Sequence, residues 1–265
     1  MIKYIIWIVK VAIPLMWGYF TWMRPYARRP DKYPPELRMA KGQKLARRVL
    51  RILKVDVEIR NMPDFKHDEI YYIVSNHTSV LDLVVLLAYL PIPVSFLSKV
   101  ENKKIPFVRT LMRVYKGLYL ERNNLRQEIK VMQMTRDSLA NKEVSWLIFP
   151  EGTRSKEYHG NLLDYKAGAF KAPLATNTTI APVVMWGNQM VLPLRTRARR
   201  YKVIVEFLPL LKPEGTTLEL ANKIYEASNA TASKLREEYG SVQKINKYGR
   251  KIMTAQLSEN IKTSK

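Results

Sequence analysis

The segment IYYIVSNHTSVLDLVVLLAY, residues 70–89, changes hydrophobic period half-way along. Residues 70–75 are aromatic and β-branched, a run of strand length. Residues 79–89 are apolar on every side and too long for one strand, so a buried helix is expected there. The polar residues Asn76, His77, Thr78 and Ser79 mark the junction. A buried strand passing at once into a buried helix is the first half of a crossover unit, the connection that parallel strands require.

The same alternation extends in both directions. Strand-like runs fall at 55–59, 94–97, 118–120, 145–149, 180–185 and 202–207, with helices expected at 124–140, 168–175 and 218–238. The pattern predicts an α/β fold, a largely parallel mixed sheet flanked by helices, over residues 55–240. In such sheets, working residues gather in loops at the carboxyl ends of strands. Residues 241–265 are polar and basic and read as a tail.

Residues 1–54 differ in kind. The first 23 residues, MIKYIIWIVKVAIPLMWGYFTWM, carry only Lys3 and Lys10 as charges. Their length approaches the roughly 20 residues of a bilayer span, but Lys10 and Pro14 interrupt it. Lys3 and Lys10, seven apart, share a helix face. An interfacial or partly inserted helix is expected, ahead of a spanning one or a buried soluble one. After the basic turn RPYARRPDKYPP, a second helix is expected at 36–54. It carries Met39, Gly42, Leu45, Ala46, Val49, Leu50, Ile52 and Leu53 on one face and Lys41, Lys44, Arg47, Arg48 and Arg51 on the other. The pair reads as a membrane-associated two-helix element. Positive charge directly after the first helix places it on the cytoplasmic face of the cell membrane.

Lys and Arg total 45 against 23 acidic residues, a formal charge of +22. Such a surplus implies a polyanionic partner: nucleic acid, an anionic bilayer, or a phosphorylated or acidic substrate. With no cysteine, disulfides and thiolate sites are excluded. The ten glycines form no GxGxxG, Walker A or GxSxG pattern, and three histidines make no HExxH.

Two constellations carry chemistry. In NHTSVLD, residues 76–82, His77 ends a strand and Asp82 falls in the opening turn of a helix. Asp82 can then fix one imidazole nitrogen while the other takes a hydroxyl proton. The competing reading makes Ser79-x-x-Asp82 a capping box and His77 part of a helix start. In FPEGTRS, residues 149–155, Gly152 and Arg154 on a strand-end loop suit a phosphate. Glu151 is expected to orient Arg154 or to accept from a substrate hydroxyl.

An Asn-His with Asp82 beyond it, followed by FPEGTRS, resembles the lysophospholipid acyltransferase family, and within it the bacterial 1-acylglycerol-3-phosphate acyltransferases. SFLSKVENKKIPFVRTLMRVYKGLYLER (95–122), DYKAGAFKAP (164–173) and APVVMWG (181–187) resemble further family stretches, so the likeness covers roughly residues 55–210. It implies that His77 is a general base partnered by Asp82. Lys99, Arg122, Glu151, Gly152, Thr153 and Arg154 become the binders of the acceptor's glycerol phosphate. One position departs: Lys116 stands where the family has a glycine, with Gly117 following.

The resemblance implies transfer of a fatty acyl group from an acyl thioester to the sn-2 hydroxyl of 1-acyl-sn-glycerol 3-phosphate, giving phosphatidate in phospholipid biosynthesis. Acyl-CoA or acyl carrier protein would be the donor, and no metal or organic cofactor is called for. Loop amides near Gly152 are the expected oxyanion donors. The alternatives are a relative acting on glycerol 3-phosphate or another lysophospholipid, and, from a different class, a basic membrane-bound nucleic-acid-binding protein. LPLRTRARRYK (192–202) would be the phosphate-binding strip of the latter. That run has Tyr201 as its only aromatic, against the interleaving that base stacking needs, so nucleic acid is not expected as a partner.

Overall fold

The computed structural model describes residues 2–121, 124–155, 162–191, 200–239, 244–245 and 251–252. Strands β1 (Val55–Arg60), β2 (Tyr72–Ser75), β3 (Val94–Lys99), β4 (Leu118–Leu120), β5 (Ser145–Ile148), β6 (Ile180–Trp186) and β7 (Tyr201–Phe207) form one sheet. Their order is β4-β3-β5-β2-β6-β7, and β1 also pairs with β7. The β1–β7, β2–β5, β2–β6, β3–β4 and β3–β5 pairs are parallel. The β6–β7 pair is antiparallel, as are those of the short β8 (Lys244–Ile245) and β9 (Lys251–Ile252). The rest of the basic tail, and residues 192–199 of the basic strip, lie outside the described residues.

Every residue of β2, β5 and β6 is buried, because helices cover both faces, so these strands read as unbroken apolar runs in sequence. The strand period of two sorts the side chains. Ile73, Leu147 and Val183 face a core shared with α1 (Ile2–Gly18), α3 (Pro35–Ile52), α4 (Leu81–Tyr89) and α5 (Pro106–Val114). Tyr72, Trp146 and Val184 face the core of α6 (Leu125–Ala140), α7 (Lys171–Thr176) and α8 (Thr217–Tyr239).

Helix α1 contains Pro14 and runs through a π-helical turn, Tyr19–Met23, into α2 (Arg24–Arg28). It packs on α3 and turns Ile8, Val9, Ile13, Met16, Trp17 and Phe20 outward, Trp17 being 69% exposed. Among the described residues no helix is long and apolar enough to cross a membrane. On α3, Met39, Gly42, Ala46, Val49 and Leu50 are buried, and the basic face is exposed. Three of its polar residues nevertheless have inward work, and buried Arg38 donates from Nη1 to Val114 O at 2.6 Å. Gln43 Nε2 donates to Leu90 O at 2.7 Å and Arg47 Nε to Ala88 O at 2.8 Å. Both satisfy carbonyls at the end of α4 that have no helical partner.

Helix α5 departs from the sequence expectation, which placed only strands within 94–120. Its signals are local: Pro106 opens it, as proline favours the first helical position. Phe107, Thr110, Leu111 and Val114 recur at helical spacing and pack inward, while Arg109 and Arg113 stay exposed. The helix is short and sits between two strand runs, which hides its period. Just after it, Lys116 adopts a positive φ of 51° and its Nζ pairs with Asp31 at 2.5 Å. The tight approach is made one residue later, at Gly117, where an added Cβ would lie 2.7 Å from Phe96 O.

Gly42 marks the tightest contact between α3 and the sheet-facing helices. A Cβ there would stand 1.6 Å from Tyr115 Oη, on a ring only 4% exposed. Gly42→Ala is expected to lower unfolding stability by about 1–3 kcal/mol through overpacking. Tyr115→Phe in the same background should return part of that loss in denaturant titrations. No loss in the single variant would show that the α3–α5 packing yields freely.

Candidate active site

Strands β4, β3, β5, β2 and β6 run in parallel, so their carboxyl ends share one edge of the sheet. His77 follows β2, the FPEGTRS loop follows β5, Lys99 ends β3, and Gly187 and Asn188 follow β6. Asn76 makes the turn between β2 and His77 possible. Its Oδ1 accepts from Met185 N at 2.8 Å and its Nδ2 donates to Met185 O at 3.0 Å. The side chain thereby adds one more rung to the β2–β6 ladder as the backbone departs toward α4.

Asp82 lies in the first turn of α4 and is fully buried. Its Oδ2 accepts from Thr78 N at 2.6 Å and Ser79 N at 2.8 Å, and lies 2.9 Å from His77 Nδ1. Its Oδ1 accepts from Asn188 Nδ2 at 2.9 Å and from Thr78 Oγ1 at 3.3 Å. In the neutral imidazole, an Nδ1–H directed at the Asp82 carboxylate leaves the lone pair on Nε2. Nε2 has no hydrogen-bond partner among the described residues, and the His77 side chain is 23% exposed. Asp82 thus accepts from amides at the helix start and also pairs with the His77 ring.

The β5 loop closes on His77 from the other side. Glu151 Oε1 accepts from His77 N at 2.7 Å, and Ser155 N donates to His77 O at 2.9 Å. The Phe149 ring stacks on the imidazole, centroids 4.3 Å apart and planes at 21°. Glu151 is 4% exposed, and its Oε2 accepts from Leu163 N at 3.2 Å. This corrects the expected role of Glu151. Both oxygens hold backbone amides, and among the described residues neither bonds Arg154. Burial is the main reason that its pKa is pushed up to about 7. The nearby Asp82 charge adds to the rise, and the two amide bonds oppose it.

Gly152 takes a φ of +66°, and its N–H donates to Phe149 O at 3.0 Å. That amide is committed to a turn, so an oxyanion donor on this loop would have to be another of its amides. Thr153 and Arg154 are exposed beyond it. Lys99 is exposed at the end of β3, paired in register with Leu120. Arg122, two residues past β4, lies outside the described residues. Among the described residues no group of three or more His, Asp and Glu side chains converges as metal ligands would.

Sequence reasoning missed Asn188, fully buried and donating to Asp82 from the end of β6. Its one signal was position: a polar residue directly after the apolar run APVVMWG. It also missed the stacking role of Phe149.

The raised Glu151 pKa has a consequence for stability. Between the ordinary carboxylate value of 4.5 and about 7, the folded protein holds this proton more tightly than the unfolded chain. Stability contributed by the group therefore falls as pH rises through that window. In urea titrations across it, Glu151→Gln is expected to show a flatter pH dependence than wild type. Parallel curves would show that Glu151 ionises without a folding penalty.

A family model described as acyltransferase matches residues 56–186, which include both motifs. A 1-acyl-sn-glycerol-3-phosphate acyltransferase of Limnanthes douglasii is 27% identical over 172 residues, 64% of this chain and 60% of the relative. The human alpha form is 29% identical over 167 residues, 62% of this chain and 57% of the relative. A chloroplastic one of Arabidopsis thaliana is 32% identical over 141 residues, 53% and 38%. The matches thus span less than two thirds of these relatives' length. The crystal structure of the 1-acyl-sn-glycerophosphate acyltransferase of Thermotoga maritima shares the fold. Its TM-score is 0.66 at 23% identity, covering 88% of this chain and 92% of that one. Residues 56–186, which hold His77, Asp82 and the FPEGTRS loop, are thus the part of the chain that matches the acyltransferase family.

Proposed function

We propose that this protein transfers a fatty acyl group from an acyl thioester to the sn-2 hydroxyl of 1-acyl-sn-glycerol 3-phosphate, forming phosphatidate. The observation that carries the proposal is His77, anchored through Nδ1 on a buried carboxylate with Nε2 open at a partly exposed face. Nε2 takes the hydroxyl proton as the oxygen attacks the thioester carbonyl carbon. The tetrahedral oxyanion then collapses, the C–S bond breaks, and the imidazolium returns its proton to the departing thiolate. One ester and one thiol result, and His77 ends as it began. Asp82 stabilises the imidazolium between the two proton transfers.

The exposed cations around this edge, Lys99 and Arg154, together with Arg122, are assigned to the acceptor's phosphate. Thr153 supplies a hydroxyl on the same loop. Gly152 gives the loop its turn, and Glu151 acts as a positioning residue through the His77 backbone. For the donor's chain, a cavity of about 490 Å³ lies among α1, α3, α4 and α5, lined by Leu15, Leu45, Val49, Val84 and Phe107. Its lining reaches Val80 and Leu81, a few residues past His77, and is almost wholly apolar. The same helices carry the outward row Ile13, Met16, Trp17 and Phe20, which suits an anionic bilayer surface on the cytoplasmic side. Acceptor and product are lipids, so seating the protein there brings the site to its substrate. The donor is acyl-CoA or acyl carrier protein, and no further cofactor enters the mechanism.

The test compares wild type with His77→Ala in vesicles, using either donor with lysophosphatidate. Wild type is expected to make phosphatidate, and the folded variant to lose at least about a hundredfold, within the usual range for a general base. Asp82→Asn should lose activity as well, because its amide would face donors that need an acceptor. An active His77→Ala protein would remove the base assignment. Acylation of glycerol 3-phosphate but not lysophosphatidate by wild type would replace the acceptor.

A further inference from the structure

A second groove, of about 360 Å³, opens between α6 and α7 beside the FPEGTRS loop. Its floor is apolar: Leu97, Leu120 and Phe149 from the sheet side, Ile129 and Met132 from α6. Phe149 belongs to both places, since the ring that lines this groove also stacks on His77 at 4.3 Å. The inner end of the groove is therefore one ring away from the imidazole.

Lys166 stands at that end, and its position is built. Its N–H donates to Pro150 O at 3.1 Å, which ties it to the loop. Its side chain then crosses the open face of Gly152, where an added Cβ would lie 3.1 Å from Cε and 3.2 Å from Nζ. The exposed Lys166 ammonium has no carboxylate within 4 Å among the described residues, whereas Arg136 on the rim is paired with Asp137 at 2.8 Å. An apolar floor ending in a cation with no carboxylate partner among the described residues complements an amphiphile whose charge sits next to its chain.

We infer that Lys166 binds the phosphate of the acceptor and that the acceptor's own acyl chain lies along this groove, leaving the cavity beside Val80 to the donor's chain. This rests on the reading of the protein as a lysophosphatidate acyltransferase. The choice of acceptor over donor follows from bond lengths. In lysophosphatidate the phosphate is on the carbon next to the reacting hydroxyl. In either thioester donor a long pantetheine arm separates sulfur from phosphate. A cation beside the loop that brackets His77 matches the first spacing and not the second. Gly152 acquires a reason here as well: it leaves the passage through which the lysine reaches.

The test measures KM for acceptor and donor separately, in vesicles, for wild type, Lys166→Ala and Lys166→Arg. Lys166→Ala is expected to raise the lysophosphatidate KM about tenfold or more, as loss of a charge-assisted bond predicts. Lys166→Arg should recover most of that. The preference for lysophosphatidate over monoacylglycerol, which lacks the phosphate, should fall in step. Ile129→Trp, which fills the floor, should weaken long-chain lysophosphatidate more than a short-chain form. A rise in donor KM in place of acceptor KM would overturn the assignment, as would an unchanged acceptor KM in an active enzyme. If wild type makes no phosphatidate from lysophosphatidate, the functional reading falls and this inference with it.

Discussion

A fully buried carboxylate organises this protein. Removing Asp82 from water is unfavourable by several kcal/mol unless donors replace the lost hydration. The replacements come from separate parts of the chain. Thr78 and Ser79 amides arrive from the turn after β2, the Asn188 amide from the end of β6, and the imidazole from His77. Each donor can reach Asp82 only if β2, α4 and β6 stand in their observed places. The cost of burying the charge thus becomes a constraint on tertiary structure, and the histidine orientation is one of its products.

The FPEGTRS loop supplies the complementary constraint. It grips the His77 backbone at both polar atoms, through Glu151 on N–H and Ser155 on C=O, and covers one ring face with Phe149. Precision at the imidazole therefore depends on neighbouring parallel strands, β2 and β5, ending at the same level. Burial holds the Glu151 pKa near neutrality, with Asp82 close by. Two carboxylates so near each other serve different purposes because their donors differ. Asp82 has enough of them around it to orient a ring. Glu151 holds only backbone amides and shapes the chain.

The sheet was readable because its central strands are buried on both faces, so apolar runs such as those at 70–75 and 180–185 stand out with no periodicity analysis. His77 and Asp82 were readable because a strand-to-helix junction is the one local geometry that brings residues five apart together. What escaped was whatever depends on chain segments far apart in sequence. Asn188 is 106 positions from Asp82, and no local pattern links them. Glu151 looked like a partner for Arg154 because charges adjacent in sequence invite pairing. Burial decided otherwise, turning the carboxylate inward to amides and leaving the guanidinium outside. Helix α5 escaped for another reason. Nine residues between two strands give too few turns for a period to emerge, and only Pro106 announces it.

The two-helix element and the sheet are one packed body, which matters for any membrane role. Buried Met39, Ala46, Val49 and Leu50 of α3 share a core with Leu81, Val85 and Leu86 of α4, the helix that begins at the candidate site. Arg47 and Gln43 of α3 then fasten the far end of α4 through Ala88 and Leu90. Position and tilt of α4 are accordingly set by the helix that α1 packs against. A bilayer holding the outward row of α1 would set the height of His77 above the surface through the α1–α3 and α3–α4 packing. A lipid hydroxyl has little freedom to move along the bilayer normal, so such a fixed height favours reaction. On such a bilayer, the Lys and Arg excess on the exposed side of α3 would add long-range attraction, and the apolar row on α1 would set depth.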